Sequence, residues 1–369
     1  MSAFETRIEA RWLAALLAVM FAIGKAPAQP PSKAQNDAKS ANRFVTFLEI
    51  PDRRTHAVRG LLMLGSASVP ALLRGAKHPN PKVAIASLHM LGELGPLASS
   101  ARVPLQELFD DKDSPLSHAA GWALARLKNE GTILVTDYTA GKILAFPRKA
   151  DGTGGTDPEV LLKKTPNGWD VEALGNGNLL VTHYTPNFVA EYTPAGKKVW
   201  SYDKLSSPLD ADRLPNGNTL ISDTYKNRVI EVDAKGKIVW EHKDCKTPYD
   251  ADRLPDGNTL ITEYRGRILE VDPKGKIVWE YKHKDAFGAD RLRNGHTLIT
   301  GYSGEVIELD QQYNVMFRLK NLRSPNEARR LPNGNTVVAE RDRIREFDRA
   351  GRVVRTIPLK SRPGTIHVR

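Results

Sequence analysis

A single cysteine, Cys245, stands in 369 residues, so the chain forms no internal disulfide and builds no thiolate metal cluster. No apolar run exceeds the twelve residues from Trp12 to Ile23, too few to cross a hydrocarbon core of about 30 Å as a helix. G-x-S-x-G, H-E-x-x-H and G-x-x-x-x-G-K-S/T are absent, which removes the signatures of serine hydrolases, zinc peptidases and P-loop nucleotidases. Acids are in deficit: 43 Asp and Glu face 54 Lys and Arg, a formal charge of +11. The basic residues are interleaved with acids along the chain, and the surplus reads as a solvated face rather than a dedicated polyanion site.

What is present begins with Arg7 and Arg11 ahead of the apolar run, followed by Ala26-Pro27-Ala28, small residues of the kind a signal peptidase reads. The expectation is an export signal over residues 1–28, a periplasmic or secreted protein, no nucleic-acid partner, and no transmembrane segment after signal removal. Residues 29–42 are polar and proline-bearing, and read as a flexible linker.

Residues 43–128 carry helical spacing. Val58, Leu61, Leu62 and Gly65 precede Val69-Pro70-Ala71-Leu72, and Leu91-Gly92-Glu93-Leu94-Gly95 precedes Val103-Pro104-Leu105. Each unit is an apolar helix ending near glycine, then a second helix with proline in its first turn, where no donor is lost. Ala119, Ala120, Ala123 and Ala125 give a further helix a close-packing face. This segment resembles short HEAT repeats, which implies a stacked helical module that binds proteins or shields a neighbouring domain.

From residue 130 to 369 the period changes. A phrase close to D-A-D-R-L-P-N/D-G-N-T-L-I recurs with turn glycines at Gly177, Gly217, Gly257, Gly295 and Gly334, spaced by 40, 40, 38 and 39 residues. Four short β-patterned runs fill each period, and Asn-Gly and Lys-Gly turns supply the positive φ of tight hairpins. Runs at 132–137, 179–183, 219–223, 259–263, 297–301 and 336–340 count six blades. The first lacks an inner strand, and 362–368 aligns with that position. The expected fold is therefore mainly β: a six-bladed β-propeller closed by its C-terminal strand and preceded by the small α-helical HEAT-like domain.

Trp200, Trp240, Trp279 and Phe317 share one position of the repeat. Burying a Trp removes roughly 150–250 Å² from water, an upper bound of about 4–6 kcal/mol, so packing alone explains the recurrence. Asp233-x-x-Gly236-x-x-x-Trp240 and Asp272-x-x-Gly275-x-x-x-Trp279 look like the tryptophan-docking motif of PQQ-dependent quinoproteins. Those enzymes use eight blades and a vicinal cysteine pair, so no PQQ and no other organic cofactor is expected here.

Two sets of acids repeat on the inner strands: Asp170, Asp210, Asp250 and Glu327, and, two residues on, Glu172, Asp212, Asp252 and Asp290. Asp170, Asp210 and Asp250 form a candidate ligand or Ca²⁺ site. Arg213, Arg253, Arg291 and Arg330 follow directly and join them as candidate ligand contacts or as counter-charges between blades. Bare carboxylates about 8 Å apart repel by roughly 2 kcal/mol at an effective dielectric near 20, so either role answers a need. A third set, Asp137, His183, Asp223, Glu263 and Glu340, closes the second strands beside Tyr138, Tyr184, Tyr225, Tyr264 and Tyr302.

The repeated phrase is similar to bacterial and archaeal arylsulfotransferase-like propellers, and Ser222-Asp223-Thr224-Tyr225-Lys226-Asn227-Arg228-Val229 resembles an NHL repeat. The first resemblance implies transfer through a sulfo-histidine standing just before the first Asp. Here Trp169, Leu209, Tyr249, Phe287 and Asn326 take that place, leaving His183 and His367 as the candidate carriers. The leading expectation is an exported scaffold binding a protein or small molecule, and the alternative is an arylsulfotransferase-like or metal-dependent propeller enzyme.

Overall fold

A computed structural model describes residues 32–128, 131–148 and 154–368. The expected signal at 1–28, and Gly152 and Thr153 of a glycine-rich loop, lie outside the described residues. Six α-helices among the described residues come first: α1 (Lys33–Phe47), α2 (Pro51–Leu64), α3 (Val69–Gly75), α4 (Pro81–Leu94), α5 (Arg102–Asp110) and α6 (Ser117–Leu127). Residues 33–42, read from composition as linker, instead form most of α1. Ser32 and Gln35 make a capping box there: Gln35 N–H donates to Ser32 Oγ at 3.2 Å and Ser32 N–H to Gln35 Oε1 at 2.7 Å.

Gly65 and Gly95 end α2 and α4 at φ 58° and 53°, a conformation that costs glycine little. Leu61, Leu72, Leu88, Leu91, Leu105 and Trp122 fill the core between the helices. The stretch Pro51–Gly75 is apolar and long enough to cross a bilayer by length and composition. It is broken at Gly65, however, and Ala57, Val58, Leu61, Val69 and Leu72 face this core.

Six four-stranded antiparallel sheets follow. Five use consecutive segments, 168–202, 210–242, 248–282, 286–319 and 327–358, here blades two to six. Blade one combines Ile133–Asp137, Lys142–Phe146 and Glu159–Lys163 with the C-terminal strand Pro363–Val368 on its inner side. In that closure Val135 faces Ile366 and Leu134 faces His367, so the first and last strands of the ring protect each other's edge. Apolar residues alternating along the strands pack between adjacent blades, as Leu180, Val189, Ala211, Ile221 and Ile230 do between blades two and three.

Candidate functional site

The inner strands bring the repeated acids together around the axis. Pairing with the second strands sets Asp170, Asp210, Asp250, Gly288, Glu327 and Thr365 at one level. Glu172, Asp212, Asp252, Asp290, Arg329 and His367 occupy the next. Each Asp of the first level reaches the neighbouring blade: Asp170 accepts from Ala211 N–H at 3.5 Å, Asp210 from Ala251 at 3.0 Å and Asp250 from Ala289 at 2.8 Å. Asp170 also accepts from Thr365 Oγ1 at 2.6 Å, across the closure. These carboxylates therefore bolt blade to blade.

The arginines do not pair with the aspartates beside them, because adjacent residues of a strand point to opposite faces. Each reaches back to a glutamate on the third strand of the preceding blade: Arg213 to Glu191 and Arg253 to Glu231 at 2.9 Å, Arg291 to Glu270 and Arg330 to Glu308 at 2.6 Å. The same guanidinium lies over that blade's outer aromatic, 4.7 Å from Trp200, 4.6 Å from Trp240, and 4.9 Å from Trp279 and Phe317. It also donates to the turn carbonyl, as Arg253 does to Gly257 at 3.1 Å. The glutamates, unremarked in the sequence, are visible there as the buried acid of R-V-I-E-V.

Counter-charge for the axis comes from elsewhere. Arg329 sits among the acids, 2.8 Å from Glu327, 3.7 Å from Asp290 and 3.9 Å from Asp252. Arg126 of α6 holds Glu172 at 2.9 Å. Two cations amid so many acids leave the carboxyls strained: burial, with residual repulsion, raises Asp170 to about 6 and lifts Asp210, Asp212, Asp252 and Glu327 well above the usual range.

The helical module covers the end of the ring where the Asn-Gly turns lie. Trp122 Nε1 donates to Arg213 O at 2.8 Å, Thr55 Oγ1 to Asp256 at 2.7 Å, Arg59 to Gln311 at 2.6 Å, and Arg293 to Leu94 O at 3.2 Å. Two glycines permit the approach, since a Cβ on Gly175 would lie 2.2 Å from Gly121 O. Between module and ring is a cavity of about 250 Å³ lined by His89, Glu93, Arg126, Asp212, Asp252, Asp290, Arg329 and His367, among others. Burial lowers His89 to about 3, so it is neutral, and raises Glu93.

The acids closing the second strands anchor the loops of the opposite end, the mouth. Asp223 accepts from Ser206 N–H at 2.6 Å, Glu263 from Lys246 at 2.9 Å and Glu340 from Arg323 at 2.7 Å. His183 replaces the acid in blade two: it is fully buried, with Nδ1 2.9 Å from Pro166 O and Nε2 3.0 Å from Tyr192 Oη. Burial lowers its basicity and both nitrogens are engaged, so it is a loop anchor. His367, the other candidate carrier, lines the covered cavity and does not meet His183. Cys245 is buried too, with its thiol pushed up to about 12 by desolvation.

Around the mouth runs a crown of aromatic side chains. Tyr138 meets Trp169 at 5.6 Å and Trp169 meets Tyr184 at 6.2 Å; Tyr184 and Tyr225 share a hydroxyl contact of 3.1 Å. Opposite, Tyr249 stacks on Tyr264 at 4.6 Å and Phe287 on Tyr302 at 5.4 Å. Arg362 spans the gap, 5.7 Å from Trp169 and 6.0 Å from Tyr302. Among the described residues no three His, Cys, Asp or Glu side chains converge as a metal-ligand group. Asp170, Asp210 and Asp250, the candidate Ca²⁺ ligands, each give one carboxylate oxygen to a backbone N–H of the next blade.

The family model described as outer membrane protein assembly factor BamB, a PQQ-like propeller model, matches residues 130–356, and a HEAT-repeat model matches residues 49–131. No curated protein matches the chain in sequence. Among solved structures, a protein of unknown function from Bacteroides caccae is similar at 19% identity and TM-score 0.53, over 64% of this chain and 98% of its own. A structure of the nidogen–laminin complex is similar at 14% identity and TM-score 0.56, over 64% and 97%. At these identities the likeness is one of fold.

Proposed function

The chain belongs to the BamB-like family of PQQ-like propellers, and from that premise we propose that it is an exported binding scaffold whose recognition face is the mouth of the ring. The carrying observation is the division of labour between the two ends. The helical module covers one end through Trp122, Arg126, Thr55 and Arg59, while the mouth keeps an aromatic crown in which Tyr225 is 60% exposed. Export is supported by Arg7, Arg11, the apolar run and Ala26-Pro27-Ala28.

Resident chemistry has little to work with. A quinone does not fit: the axial carboxylates hold neighbouring blades, and the one cysteine is buried. A second reading, transfer through a sulfo-histidine, is favoured only by His367, which lines the covered cavity beside Asp290 and Arg329. Incubation with a labelled aryl sulfate donor should leave no label on histidine; labelled His367 would reverse the ranking.

The scaffold reading is tested by a photo-crosslinking side chain placed at Tyr225 in the mouth, and separately at Val239 on the outer strand of blade three, 48% exposed. Discrete crosslinked protein from Tyr225 but not Val239 is expected. Crosslinks from Val239 alone would place recognition on the blade edges and sink the proposal.

A further inference from the structure

The +11 charge, read above as interleaved with acids along the chain, is in fact unevenly distributed along the sequence itself. Between Arg318 and Arg362 stand 13 Lys and Arg against 5 Asp and Glu, a surplus of 8, whereas residues 248–282 of blade four hold 6 against 7. Folding concentrates this surplus further. Three loops, 320–326, 340–343 and 359–362, meet at one corner of the mouth, joined by Arg341 N–H to Arg323 O and Leu359 N–H to Asp342 O, both at 2.9 Å. They bring together Lys320, Arg323, Arg341, Arg343, Lys360 and Arg362.

Only two acids lie in those loops, and neither offsets the corner fully. Glu340 is completely buried and held by Arg345 and by Arg323 N–H. Asp342 is engaged on both oxygens, by Arg343 at 2.7 Å and Arg323 at 2.9 Å. Lys320, Arg323, Arg341 and Lys360 remain exposed. Arg362 carries the charge inward, onto Trp169 and Tyr302 of the crown.

Resting on the reading of the mouth as a recognition face, we propose that this corner docks an acidic, aromatic-bearing segment of a partner protein. Its carboxylates would meet Arg323, Arg341 and Lys360, and an adjoining ring would lie on Trp169 and Tyr302. Charge complementarity selects an acidic partner. The mixture of Arg, Tyr and Trp is that of protein-interface hot spots. A long polyanion is a poorer fit, because the other mouth loops alternate in sign, as in Asp203-Lys204, Lys243-Asp244 and Lys284-Asp285, and offer no continuous cationic track.

The test is fluorescence anisotropy with a dye-labelled dodecapeptide of Glu, Asp and Tyr, at low and physiological salt, on the full chain. Binding is expected that weakens with salt and falls at least tenfold in R341E/K360E. K235E/K274E, the same charge change at distant exposed turns, should alter it less than twofold. K320E/K360E is the second pair should R341E/K360E fold poorly. Equal losses in the two sets would show a net-charge effect and overturn the proposal, as would absence of peptide binding. Tighter binding of a sulfated oligosaccharide, a single-stranded oligonucleotide or anionic phosphatidylglycerol vesicles, lost in R341E/K360E, would assign the corner to a polyanion and also overturn it. Should Tyr225 crosslink a partner while the peptide fails, this inference alone falls; should both fail, the scaffold reading falls with it.

Discussion

At the covered end of the ring, nearly every polar group named above has a partner inside the molecule: Trp122 finds Arg213 O, Arg126 finds Glu172, and each latch arginine finds a glutamate and an aromatic face. At the mouth, the same repeats end in tyrosines whose ring contacts are with one another, Trp169 and Phe287, and in cations that outnumber their acids. One repeat thus produces a structural end and an end left with unused binding capacity. The distinction lies in what packs against the turns, not in the strands.

Breaking the covered end should cost most. Trp122→Ala removes a buried indole that packs on Gly92, where a Cβ would come within 2.3 Å of the ring. A loss of about 3–5 kcal/mol is expected by urea unfolding, with early proteolysis after Lys128 as the module detaches. Arg253→Met leaves Glu231 buried without its cation, and about 3 kcal/mol should be lost. Adding Glu231→Gln should restore at least half of that, a coupling a double-mutant cycle would measure. By contrast Arg352→Ala, whose side chain is 80% exposed beside Asp348, should change stability by less than about 0.5 kcal/mol.

Proton linkage sharpens the comparison within the axis. Carboxyls whose folded pKa lies above the unfolded value hold protons more tightly when folded. Their contribution is complete below the ordinary aspartate range and is lost as pH rises through the folded values, about 6 for Asp170 and likewise raised well above the ordinary range for Asp212 and Asp252. Asp212→Asn/Asp252→Asn should therefore stabilise the protein by about 1 kcal/mol at pH 8 and not at pH 4, read as the difference in Tm from wild type. A variant gain that grew on acidification would contradict the sign.

The smallest expected change is at the mouth. Tyr225→Ala should shift stability by no more than about 0.5 kcal/mol, checked by thermal unfolding. If it unfolded the ring, the crown would be structural after all.

The blades, their number and the closing strand were legible because turn chemistry and strand alternation repeat with one period. The partners of the arginines were not. Asp212 and Arg213 are neighbours in sequence and suggest a pair, but the pleat sends them to opposite faces, and the true partner Glu191 lies one blade away. Arg329 was legible but passed over: with Glu327 and Arg330 aligned to the repeat, it takes the place held by Asp212, Asp252 and Asp290 in the other copies. Helix α1 was hidden by its polar composition, though Ser32 and Gln35 carried the cap. The basic corner needed folding too, since loops 320–326, 340–343 and 359–362 are adjacent only in the closed ring.

Hydrogen exchange with and without a crosslink-identified partner tests the division between the ends most directly. Protection confined to the mouth loops, led by 320–326, 340–343 and 359–362, with α4, α6 and the Asn-Gly turns unchanged, is the result predicted. Protection of α6 and the turns at Gly217 and Gly257, with the mouth unchanged, would contradict it.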